Sequence, residues 1–196
     1  LLKIKSREDN VFILQNHGLI VCGDDLNEIK KLNLKIRECL QNELNKNIII
    51  KPRDNSNIKI NLKNTKYKLL NKDYAFILAN NKPWLKKISL GAFLPDILVF
   101  LGPKILQINP DKKNLPIELN KLSKLSLPLN SCIILSGYGV IIRKDSLNGA
   151  IEMIKLLYEL MHRVPKEEEL EYFNDDQVLS LLNWEAELYR QKLNQI

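Results

Sequence analysis

Only two histidines occur in the 196 residues, and one of them, His17, stands in Gln15-Asn16-His17-Gly18 between two apolar runs. An imidazole in that position can bond the turn backbone as a neutral ring, ligate a metal, or serve as a general base. Val11-Phe12-Ile13-Leu14 leads into it and Leu19-Ile20-Val21-Cys22 leads out, which predicts two buried strands joined by a tight turn. Asn16 and Gly18 suit such a turn because both residue types tolerate positive φ. His17 is therefore the candidate functional side chain.

The remaining donors are sparse. Cys22, Cys39 and Cys132 are odd in number, lie in apolar patterns and form no C-x-x-C pair. They are expected to be reduced, buried thiols of a cytoplasmic protein. His162 has no partner at metal-ligand spacing, and neither a P-loop nor a G-x-G-x-x-G turn is present.

Composition narrows the function classes. A hydrophobic content of 45% is enough for an ordinary core, which argues against a disordered chain. The net charge of +7 arises from 30 Lys and Arg against 23 Asp and Glu. The lysines alternate with acids, and no basic stripe carries the interleaved aromatics of a single-strand binder, so no nucleic-acid partner is expected. A small anionic substrate is compatible with the excess. No apolar run reaches the roughly 18 residues of a membrane span, and no signal peptide is visible, so no membrane partner is expected either.

The elements that must position His17 follow from periodicity. Asp25 and Glu28 have the spacing of a capping box, and Leu26, Ile29, Leu32, Ile36 and Leu40 recur at helical intervals, predicting a helix from Leu26 to Asn45. Residues 46–65 read as a linker or edge strand. Between Lys66 and Gly91 the pattern predicts two short helices broken near Pro83. Residues 94–103 read as a buried strand closed by Gly102-Pro103, with a second short strand over 104–108. Residues 110–129 are polar and punctuated by proline. After Pro165, Asn174-Asp175-Asp176 starts a final helix whose apolar face places Trp184 in the core.

The opening pattern then returns. His17 and Tyr138 are 121 positions apart, and at that spacing Ile13 meets Ile134, Leu14 meets Leu135, Gly18 meets Gly139, Ile20 meets Ile141, Asp24 meets Asp145 and Leu26 meets Leu147. This is an internal repeat of a strand, turn, strand and helix. Tyr138 stands where His17 stands.

The run Leu14-Gln15-Asn16-His17-Gly18-Leu19-Ile20-Val21-Cys22-Gly23-Asp24, with the capped helix after it, resembles the class II aldolase and adducin head family over about 35 residues. The ending Leu182-Asn183-Trp184-Glu185-Ala186-Glu187-Leu188-Tyr189-Arg190-Gln191 is similar to the C-terminal part of a longer protein with two tandem domains of that kind. The resemblance implies an α/β fold of three layers, α/β/α, carrying the repeated strand-turn-strand-helix unit. It divides the chain into the C-terminal part of a first domain (1–47, expected to begin partway through it), a linker (48–65) and a second, degenerate domain (66–196).

In that family the Asn-His-Gly segment supplies the third zinc histidine, an upstream His-x-His supplies the other two, and an upstream Glu acts as acid and base. Only His17 carries over, as a metal ligand held by Asn16 and Gly18. No His-x-His occurs here, and the second copy reads Val99-Phe100-Leu101-Gly102 where one could have stood. The implied cofactor is zinc or another divalent metal, conditional on ligands upstream. The implied activity is cleavage or isomerisation of a small sugar or sugar phosphate through a zinc-stabilised enediolate. This chain alone is expected to be inactive, and a homo-oligomer is implied. The alternative is a non-catalytic, adducin-like binding or scaffold protein.

Overall fold

The structure is a computed structural model that describes residues 10–14, 18–44, 60–110, 114–165 and 167–193. The chain divides into two compact units, Leu1–Ile49 and Ile50–Ile196. In the first unit β1 (Val11–Leu14) pairs antiparallel with β2 (Gly18–Val21), and α1 (Leu26–Leu44) follows. Branched and aromatic side chains favour the extended backbone of both strands. A bond from Cys22 N to Asn10 O, 2.8 Å, closes the open end of the hairpin.

The start of α1 is fixed by the expected pair of acids. Asp25 Oδ1 accepts from the backbone N–H of Asn27 at 2.7 Å and of Glu28 at 2.9 Å. Glu28 reaches back to accept from Asp24 N at 2.9 Å, which satisfies one more amide in front of the helix. Ile29, Leu32 and Ile36 form its half-buried stripe, whereas Leu26, Leu34 and Leu40 are exposed. Asn45, the last residue of the expected helix, and positions 46–59 of the expected linker lie outside the described residues.

The second unit is built on a four-stranded sheet. Its strands are β3 (Tyr67–Leu69), β4 (Leu106–Ile108), β5 (Cys132–Leu135) and β6 (Gly139–Arg143), in the order β3-β6-β5-β4. β4 and β5 run parallel, and the other two pairings are antiparallel. Around the sheet lie α2 (Asp73–Asn80), α3 (Lys82–Ile88), α4 (Pro95–Leu101), α5 (Leu115–Leu122), α6 (Ala150–Arg163), α7 (Asp175–Leu182) and α8 (Glu185–Leu193).

Side-chain alternation sends Cys132, Ile134, Val140 and Ile142 into a core with α2, α4 and α6. Ile133, Leu135 and Ile141 face the opposite side, against Leu115 and Leu119 of α5. Helices thus cover both faces, which is why β5 and β6 read as unbroken apolar runs. The described residues form a mixed α/β protein with eight helices and two small sheets.

Three expectations are corrected. Residues 95–101 are a helix, α4, not a buried strand. A short apolar run has no periodicity to distinguish the two, but Pro95 and Asp96 in the first turn favour a helix start. Gly102 ends it at φ 96°, where an added Cβ would lie 3.1 Å from the Pro128 carbonyl oxygen. Tyr67 and Leu69 belong to β3 and not to a helix, because β6 offers them an open edge.

The C-terminal helix is two helices. Asn174 and Gln177 form a full capping box at the start of α7, and the chain breaks at Asn183 before α8. That break leaves Trp184 60% exposed instead of in the core.

Candidate functional site at the two hairpin turns

The two hairpins match pair for pair. Val11↔Val21, Phe12↔Ile20, Ile13↔Leu19 and Leu14↔Gly18 in the first become Cys132↔Ile142, Ile133↔Ile141, Ile134↔Val140 and Leu135↔Gly139 in the second. Every pair is displaced by the same 121 positions that the sequence repeat gives. The glycine closing each turn adopts the same backbone, φ 149° at Gly18 and φ 148° at Gly139, a region that an L side chain enters only with strain. Three residues separate the paired strands in each sequence, Gln15-Asn16-His17 in one and Ser136-Gly137-Tyr138 in the other. Gln15, Asn16 and His17 lie outside the described residues.

The second loop is tied down on three sides. Ser136 N donates to Ile108 O at 3.1 Å, Gly137 N to Ala79 O at 3.0 Å, and Tyr138 N to Leu135 O at 2.9 Å. Tyr138 is half-buried and lines a cleft of about 260 Å³ with Leu69, Leu70, Asn71, Lys72, Phe76 and Gly139. An ammonium, an amide and a phenol over apolar walls can hold a small molecule by hydrogen bonds. They provide no imidazole or thiol for metal or acid–base work near neutral pH.

No known family, curated protein or solved structure matches this chain.

The other donors are dispersed. His162 lies on α6 with its ring edge-on to Trp84 (centroids 4.7 Å apart) and to Tyr158 (4.5 Å). Its Nε2 is buried and has no hydrogen-bond partner among the described residues. Burial, aided by the charge of Arg163, lowers its pKa below 6.5.

Of the three free cysteines, Cys132 is buried as expected, but Cys22 and Cys39 are exposed. The correction follows from the first unit, where among the described residues neither the hairpin nor α1 is covered on all sides. Burial pushes the Cys132 thiol up to about 12. Among the described residues no group of three His, Cys, Asp or Glu side chains could hold a metal ion, so zinc has no donor set there.

One polar constellation was not anticipated from the sequence. Arg143, 4% exposed at the end of β6, grips Asp145 with Nε–Oδ1 and Nη2–Oδ2 contacts of 2.9 Å each. Its Nη1 donates to the carbonyls of Leu125 at 2.7 Å and Leu129 at 3.3 Å. The guanidinium hydrogen bonds hold the Asp145 carboxyl below its ordinary range. The cluster fastens the 125–129 loop to the hairpin. The signal was Arg143-x-Asp145, because the repeat keeps the aspartate as Asp24 but has Cys22 in place of the arginine.

Proposed function

We propose that the chain is a class II aldolase-like protein in which the second unit is a structural, metal-free copy and the first carries the chemistry. Its layering would be that of the family, and its activity the cleavage or isomerisation of a small sugar or sugar phosphate. The observation that carries this reading is the shared register of the two hairpins, with histidine at one loop and tyrosine at the other. A scaffold preserved twice, with a metal-capable side chain in only one loop, fits one working site and one degenerate site.

His17 would be one of three ligands to zinc or another divalent metal, the others coming from outside these 196 residues, where only His17 and His162 occur. The test is metal analysis of the natural protein, purified without chelators, beside His17→Ala. The expected result is near-stoichiometric divalent metal in the natural protein and its loss in the variant. A metal-free natural protein, or an unchanged variant, overturns the proposal.

A second reading, an adducin-like scaffold without catalysis, is favoured by the apolar side chains exposed along α7 and α8: Leu179, Trp184, Leu188 and Tyr189. Under that reading both proteins are metal-free.

A further inference from the structure

Neither reading of the first hairpin uses the cleft beside Tyr138. Its walls are held by backbone bonds that need no ligand: Leu70 N donates to Val140 O at 2.9 Å, Lys72 N to Leu70 O at 2.9 Å, and Gly137 N to Ala79 O at 3.0 Å. These bonds tie the end of β3, the start of α2 and the β5–β6 turn together, so the concavity exists before anything enters it.

The lining combines two chemistries. Leu70 and Phe76 are buried and Leu69 is 39% exposed, which makes one wall apolar. Lys72 and Asn71 bring an ammonium and a carboxamide, and among the described residues no carboxylate lines the cleft. Neither of these two side chains has a hydrogen bond or ion pair with a described residue, so both are available to a ligand. The Tyr138 ring closes the cleft on the side of the turn.

We infer that this cleft binds a small organic monoanion, a carboxylate on a short hydrocarbon body. The carboxylate would accept from Lys72 Nζ and Asn71 Nδ2, and the hydrocarbon would lie on Leu69, Leu70 and Phe76. Size excludes larger anions. A volume of about 260 Å³ is below the roughly 300–1,000 Å³ of sites for drug-sized ligands, too little to enclose a nucleotide. Charge selects among the small ones. One ammonium matches one negative charge, whereas the second charge of a phosphate would be set against the apolar wall without a partner. A neutral ligand forgoes the charge-assisted bond. The inference is independent of the reading of His17.

The test is a two-dimensional amide NMR titration of the full chain with butyrate, butyramide and inorganic phosphate at equal ionic strength. Butyrate should bind with a Kd in the millimolar range or tighter and should shift the amides of Leu70, Asn71, Lys72 and Gly139 most. Butyramide and phosphate should bind more weakly by about tenfold or more. Lys72→Met should weaken butyrate binding by about tenfold or more, and Lys72→Arg should restore most of it. Asn71→Ala should cost about threefold. Lys121→Met removes a charge from α5 outside the cleft and should change nothing. His17→Ala should also bind butyrate as the wild type does, so the loss of this site and the loss of a metal ligand are read separately. The dispersion of the same spectra shows that each variant is folded. Absence of shifts at the cleft amides, equal binding of phosphate or butyramide, or a Lys72→Met variant that binds as tightly as the wild type overturns the inference.

Discussion

Ile13 and Ile134 occupy the same position of the same hairpin, yet one is 77% exposed and the other 1%. Backbone pairing and turn glycine are equal in the two, so neither of these determines burial. The second hairpin has a strand on each edge and helices on both faces, and the first lacks those neighbours among the described residues. A hairpin of this pattern is thus a local unit that the sequence specifies by itself, whereas a core needs the elements brought to it from elsewhere in the chain. An isolated two-stranded sheet is only marginally stable in water, so the first hairpin gains from any partner that covers it.

The largest contrast should appear in thiol chemistry. Cys22 and Cys39 are exposed, while Cys132 is buried in β5 with its thiol held up to about 12, well away from the reactive thiolate. Titration of the native protein with a chromogenic disulfide is expected to label two thiols quickly. The third should react only as fast as the second unit opens, slower by about a thousandfold or more for a domain of ordinary stability. Three equally fast thiols would remove the distinction between the units. Cys132→Ala should abolish the slow phase and keep both fast equivalents.

Next comes the core itself. Ile134→Ala removes a fully buried side chain between β5 and the helices and should cost about 2–5 kcal/mol, read as a shift in urea-unfolding midpoint. Ile13→Ala, the same change at the equivalent place, should stay within about 0.5 kcal/mol. Both tryptophans, Trp84 and Trp184, belong to the second unit, so their fluorescence reads Ile134→Ala, and the midpoint for Ile13→Ala is followed by far-UV circular dichroism, to which the first unit contributes. Equal costs for the two variants would mean that the first hairpin is as well covered as the second.

Local signals in the sequence were readable because their physics is local. The α1 start follows from Asp25 and Glu28, both hairpins from their glycines, and the α7 start from Asn174-Asp175-Asp176. What was not readable depended on contacts far along the chain. Tyr67 became a strand because β6 needed an edge partner, 95–101 became a helix from a run too short to show a period, and Trp184 came out of the core because α7 and α8 break before it. The candidate site divides the same way. The common register of the two hairpins was legible from spacing, whereas the anchoring of the Tyr138 loop to Ile108 and Ala79 was not, since it joins residues from three separate elements.

The smallest expected effect separates two acid-sensitive groups of the second unit. His162 packs edge-on between Trp84 and Tyr158 with its pKa lowered, so the unfolded chain binds its proton more readily than the folded one. Stability from this group is complete above about 6.5 and is lost as pH falls below that toward the lowered folded value. Asp145 is also lowered, by the guanidinium of Arg143, but its contribution is complete above the ordinary 3.8 and is lost only as pH falls further. A plot of unfolding midpoint against pH should therefore show a shallow decline beginning near 6.5 and a second below about 4. His162→Phe keeps the aromatic packing and should flatten the first decline alone, while Arg143→Leu should reduce the second alone. If the first decline survives in His162→Phe, the imidazole is not its source, and the aromatic nest of α3 and α6 has no part in acid sensitivity.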